Sequence, residues 1–483
     1  MKKRLLIIVA TLIPMLASAH DFEVNGIYYN ITSHIDLTVE VVRGNDYGNS
    51  YSGDIIVPEE VAYNNQSYLV KSIGEFAFYN CSSLTSVALP ENVTTIGALA
   101  FYGCKKLTSI NMPNGLTCIE KRLFYDCNSL TSITIPDNVA FIGESAFEYC
   151  SSLTSVNIPK KVATIGERAF AFCNSLTTIT LPESATTIEE FAFYYCSSLT
   201  SINIPKGITS IEGSVFAGCR SLESLNIPDG VTTIGKSAFS GCESLVSINI
   251  PESVTAIGGY AFYGCSGITN INIPNGITMI NERAFDGCSS LESLNIPDGV
   301  TTIGESAFSG CESLMSIRIP ESVISIGEWA FSGCSSLPSI NIPQNVTSIG
   351  ANAFHSTNNL SSIIVENGNT VYDSRDNCNA IMETNSNALI FGCKSTVIPE
   401  STTTIGEGAF YSCKGLVSIT IPKSVTEIES QAFYGCSSLT FINIPEGVKT
   451  IQYGTFSGCS ALTSVTIPES VTEIGESAFE YCS

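Results

Sequence analysis

The chain carries three histidines and nineteen cysteines, and their spacing limits what chemistry they can do. His20, His34 and His355 lie far apart, and none has a nucleophile or second metal ligand near it in sequence. No P-loop, nucleotide-binding glycine motif or H-E-x-x-H run is present. Serines such as Ser155 and Ser201 occupy recurring positions without a neighbouring general base. Cys81 to Cys334 step by 23 residues without a break, and the series resumes at Cys413. There is no C-x-x-C pair and no histidine partner, so this ladder does not read as a metal site. Asp137, Glu183, Asp229, Glu252, Asp298 and Glu321 form a second ladder, each following a proline. It reads as a solvated edge. Weak calcium binding is the sharper alternative, and Lys160 and Lys206 interrupt it. No catalytic constellation, cofactor site or metal site emerges, so the expected class is a non-enzymatic binding protein.

The same periodicity defines the elements. Prolines run from Pro90 to Pro343 at the 23-residue step and resume at Pro399, the mark of a stacked-repeat architecture. In the unit from Leu153 to Ser175, Val156 and Ile158 alternate with Ser155 and Asn157, which predicts a half-buried strand. Pro159 ends it, because proline gives no N–H to a ladder. Val162 to Ile165 is a second short extended piece. The A-F-x-x-C stretch predicts one helical or tight turn that points Phe170 and Cys173 inward. Gly166 shares its slot with Glu120, Glu189 and Asn281 elsewhere, so the slot reads as a permissive turn and not as an obligatory left-handed residue. One unit cannot fold alone. Burying its large apolar side chains contributes roughly 1.5–3 kcal/mol each, while ordering each residue costs about 1–2 kcal/mol. Stability must come from stacking.

The LTSVNIP-type strand, the VTTIG crossing and the SAFSGC turn resemble the BspA-like leucine-rich repeats of bacterial surface proteins, from about Lys71 onward. The resemblance implies a β-rich, right-handed curved leucine-rich repeat solenoid, with a parallel sheet on one side and short turns on the other. Periodicity alone also allows a parallel β-helix. The family implies adhesion by multivalent binding to host or neighbouring-cell proteins. A glycan-binding or scaffolding role in a surface complex is the alternative.

Residues 1–19 read as a secretory signal peptide: Lys2, Lys3 and Arg4, then an apolar run, then Ala17-Ser18-Ala19. Cleavage is expected after Ala19, with no transmembrane segment remaining and a secreted or surface location. Without those three basic residues the chain has 19 basic and 45 acidic residues, a net charge of −26. Such a surface repels nucleic acid. Residues 20–70 do not repeat and predict a small β-structured N-terminal cap, ahead of a solenoid over 71–483. The last unit stops in mid-repeat, which reads as a truncated product or a frayed last coil.

A long variant repeat interrupts the ladder at about 366–398. Ala380 to Met382 and Ala388 to Phe391 flank Thr384-Asn385-Ser386-Asn387, a hairpin signal. A turn centred on Asn385 and Ser386 sets Cys378 opposite Cys393, so a disulfide between them and two free thiols are both open. The ladder cysteines read as buried free thiols, because their side chains run parallel. Ser221 to Val254 and Ser290 to Val323 are near copies, three repeats apart.

For recognition, the strand face offers small polar groups such as Ser201 with Asn203 and Asn270 with Asn272. Tyrosines recur in one repeat slot at Tyr79, Tyr102, Tyr125, Tyr194, Tyr263, Tyr411 and Tyr434, and tyrosine is enriched at interface hot spots. These are the candidate partner-contacting residues. The competing reading lays each ring over its own turn.

Overall fold

A computed structural model describes residues 20–44 and 50–482. The expected signal peptide lies outside the described residues. Six strands precede the repeats: β1 (Phe22–Val24), β2 (Ile27–Ser33), β3 (Thr38–Val42), β4 (Gly53–Ile56), β5 (Glu60–Tyr63) and β6 (Gln66–Ile73). β1, β2 and β3 pair antiparallel in order, then β3 pairs parallel with β6. β6 hands the parallel direction to Thr95–Ile96 of the first coils.

From there the chain winds as stacked coils whose residues pair with those 23 positions on, as in Ser132 with Ser155 and Ile142 with Ile165. Each coil carries two strand columns. The L-x-x-(V/I)-x-I segment builds one and the V-x-x-I segment the other. The proline carbonyl then accepts the N–H three residues on, as Pro159 does from Val162 at 3.1 Å, so proline both ends the strand and starts the turn.

The A-F-x-x-C stretch is not helical; it is a run of tight turns. Alternate N–H groups bond inside the coil and across to the next one. Ser145, Phe147 and Tyr149 donate to the carbonyls of Glu167, Ala169 and Ala171 at 2.7–2.9 Å. This geometry requires two left-handed residues per coil, Ser145 and Tyr149 in this case. The Gly166 slot is not left-handed. It is a close approach: a Cβ on Gly166 would stand 2.7 Å from the backbone of Gly143. Where Glu189 takes that slot, its carboxylate accepts the N–H of Glu167 at 2.8 Å.

The core is a spine of aromatic rings. Phe78 to Phe354 stack coil on coil, with Phe216–Phe239 at 5.6 Å and Phe239–Phe262 at 5.4 Å. The ladder cysteines lie beside them as free thiols. From Cys104 to Cys334 each ladder Sγ–H donates to the phenylalanine carbonyl of the preceding coil, as Cys265 does to Phe239 at 3.0 Å. Burial pushes Cys219, Cys265 and Cys334 up to about 12, which removes the reactive thiolate. Iodoacetamide is therefore expected to spare the ladder from Cys81 to Cys334 in the native protein and to label all nineteen cysteines after denaturation without reductant. Mass spectrometry of the labelled peptides checks both parts.

The long repeat contains the expected hairpin, Ala380–Glu383 against Ala388–Gly392, with Tyr372–Asp373 on its outer edge. Its register shifts by one between Ile381 and Met382. That bulge removes the direct opposition of Cys378 and Cys393, and both are free thiols in the structure. They also face different ways. Cys393 joins the buried cluster that begins at Phe22, and Cys378 joins a second cluster that runs on to Ala478. Gly392 leaves room for the Phe410 ring, whose Cε1 would be 2.2 Å from any added Cβ. Gly392→Ala is expected to cost about 1–3 kcal/mol by overpacking, read as a lower denaturation midpoint.

Candidate functional site

The sheet face is less available than its composition suggests. Asn203 Nδ2 donates to the Leu181 carbonyl and its Oδ1 accepts the Leu181 N–H, both at 2.8 Å. Asn272 holds Ile250 in the same way. These exposed amides spend their oxygen and one N–H on pairing between coils, which leaves fewer groups free for a ligand.

The turn side is different. Tyr79 stacks on Tyr102 at 4.9 Å, and Tyr102 on Tyr125 at 4.6 Å with the rings parallel within 1°. The series then changes slot. Tyr125 meets Tyr149 edge-on at 5.4 Å, Tyr149 stacks on Phe172 at 4.6 Å, and Phe172 reaches Tyr194 and Tyr195 at 5.4 and 5.5 Å. One aromatic strip thus runs across the N-terminal coils. Tyr149 and Tyr195 are exposed and the other rings are half-buried. The candidates Tyr79, Tyr102, Tyr125 and Tyr194 lie in it. Tyr263 stands outside it, beside Tyr260 at 5.9 Å. Tyr411 and Tyr434 stack on each other at 4.7 Å in the C-terminal coils.

The tyrosine slot alone does not account for the strip. Tyr149, Phe172 and Tyr195 occupy the residue before the ladder cysteine, with φ of +63°, +60° and +55°. Glycine holds that position in the six coils from Gly218 to Gly333. A bulky side chain in left-handed backbone is strained, by about 1–2 kcal/mol per residue. The sequence carries this signal, in three successive aromatics in a slot that is small or polar in every other coil before the last, where Tyr481 fills it.

Beside the strip lies a recess lined by Tyr102, Arg122, Tyr125, Ser145, Glu148 and Arg168. Arg122 pairs with Glu144 and Arg168 with Glu167, each at 2.8 Å. The Arg168 guanidinium also covers the Phe191 ring at 4.5 Å. Burial raises the Glu148 carboxyl above its ordinary range, while Ser145 and the two arginines oppose that shift. Paired charges and aromatic edges suit recognition. Among the described residues, no cluster of three metal-ligating side chains occurs.

The family model for the BspA type leucine rich repeat region matches in overlapping stretches covering 71–381 and again over 388–483. This chain belongs to the BspA-type leucine-rich repeat family. A leucine-rich repeat protein from Bacteroides ovatus is 34% identical, over 72% of this chain and 95% of that one, with a TM-score of 0.61. A leucine rich cell surface protein from Faecalibacterium prausnitzii is 25% identical over 96% of this chain and 98% of that one, with a TM-score of 0.35. No curated protein matches the chain. BspA-type proteins are typically secreted or held at the cell surface, and their solenoids are generally non-catalytic and compatible with protein binding. No helix among the described residues is long and apolar enough to cross a membrane.

Proposed function

We propose that this BspA-type protein is a secreted or surface-displayed adhesin that contacts host or neighbouring-cell proteins through the aromatic strip. The observation that carries this reading is the placement of Tyr149, Phe172 and Tyr195 in left-handed backbone where the next six coils use glycine. Ring stacking of about 0.5–1.5 kcal/mol per pair only offsets that strain, so the fold gains little from rings there, and strain of this kind clusters at functional sites. Contact is multivalent, because several coils present the same chemistry and weak contacts sum through effective concentration. The stacked rings turn their faces to one another, which leaves their edges to a partner. That favours a protein surface over a sugar ring, which needs an open aromatic face.

The test is binding of the chain from His20 onward to immobilised matrix and mucosal proteins, with a glycan array in parallel. Saturable protein binding supports the proposal. Binding to glycans alone, or to nothing on either surface, overturns it.

A further inference from the structure

Backbone bonding between successive turns is uniform except at one step. In each coil-to-coil step from Phe76 onward, three turn N–H groups donate to the next coil, as at Trp329, Phe331 and Gly333. No such set joins Asn352, Phe354 and Ser356 to the turn at Gly408–Ser412. A side chain stands there instead. His355 stacks on Tyr411 at 4.4 Å and 3°, meets Trp329 edge-on at 5.1 Å, and its Nε2 lies 3.2 Å from the Gly408 carbonyl. The phenylalanine spine also tilts here, with Phe354 and Phe391 at 44°.

The hairpin sheet beside this step repeats the N-terminal one. β1, β2, β3, β6 and Thr95–Ile96 run antiparallel, antiparallel, parallel, parallel. Tyr372–Asp373, Ala380–Glu383, Ala388–Gly392, Thr404–Ile405 and Glu427–Ile428 follow the same order. A left-handed residue precedes the third strand in both, Leu37 and Asn387. The two faces of the hairpin serve different bodies: Ile381 and Phe391 pack into the first core, and Ala380, Met382 and Leu389 into the second.

We propose that the chain is two separately capped solenoids in tandem, and that the seam between them is an acid-released joint held by His355. The Gly408 carbonyl can only accept, so Nε2 carries the proton and Nδ1 is bare. His355 is 2% exposed, and its Nδ1 has no partner. A second proton would create a buried imidazolium N–H with no acceptor. The groups against the ring are neutral: the Trp329 indole, the Gly408 carbonyl and the Tyr411 phenol, which burial keeps protonated. The carboxylates next to them in sequence, Glu328 and Glu407, are exposed, as is Lys414 on the following turn. Burial lowers the His355 pKa from 6.5 to about 4. The closed seam therefore binds the proton more weakly than the open one. Its stability is full above pH 6.5 and is lost as pH falls toward 4.

The amides of Ile349, Val365 and Lys414 report directly, because they bond across the seam to Tyr372, Ser374 and Asn358. In hydrogen exchange of the full chain, corrected for intrinsic rate, their protection is expected to fall about 20-fold from pH 7 to pH 5. Amides at Phe193 to Phe262 are expected to hold. His355→Gln, which keeps a donor for Gly408, abolishes the pH response, as does His355→Phe, which keeps the stack. Equal pH response at the seam and in the inner coils overturns the proposal, and so does a seam response that survives both substitutions.

Discussion

Phe239→Ala is expected to destabilise the solenoid by about 3–5 kcal/mol, the range for deleting a fully buried aromatic ring. Phe239 has no exposed surface and lies between Phe216 and Phe262. Its removal opens a gap that both neighbours line, and close-packed coils can collapse only partly. Each coil touches only its two neighbours, so the damage enters two interfaces and does not dissipate elsewhere. Chemical denaturation followed by far-UV circular dichroism checks this through a lower midpoint. An unchanged midpoint would mean that the ring spine is not what joins the coils.

The second large effect is on binding. Replacing Tyr149, Phe172 and Tyr195 together by glycine is expected to abolish partner binding and to leave stability within about 1 kcal/mol per site. Glycine relieves about 1–2 kcal/mol of left-handed strain at each position. Against that stand lost ring pairs worth about 0.5–1.5 kcal/mol each and the greater freedom of unfolded glycine, about 0.5–1 kcal/mol. The terms nearly cancel in the fold. In the interface nothing compensates, and hot-spot truncations cost about 2 kcal/mol or more apiece. Parallel thermal melts and surface plasmon resonance separate the two quantities. A variant that binds as the parent does would remove the strip from the account.

Much of this architecture is legible in the sequence because the repeat speaks for each position many times. Pro159, Val156 and Phe170 have equivalents in nearly every coil, so their roles as strand end, inward strand residue and spine ring follow from spacing alone. The hairpin of the long repeat is equally visible in its two apolar runs. What escapes the sequence depends on distance between coils. The close backbone approach at Gly166 is masked because Glu189 occupies the same slot and caps a neighbouring N–H from it. The amides of Asn203 and Asn272 look solvent-facing by alternation, yet they bond back to the preceding coil. The one-residue bulge that separates Cys378 from Cys393 has no composition signal. The aromatic strip was half legible: Tyr79, Tyr102 and Tyr125 share a slot, but its continuation moves to the residue before cysteine, where only the backbone shows the strain.

The most direct measurement is a hydrogen-exchange footprint of the protein bound to whichever matrix or mucosal protein it captures. Added protection is expected on the turn segments between Phe76 and Tyr195, with the glycine-bearing turns from Gly218 to Gly333 unchanged. Protection centred on those smooth turns, or on the strand face around Ser224 and Ser247, would contradict it.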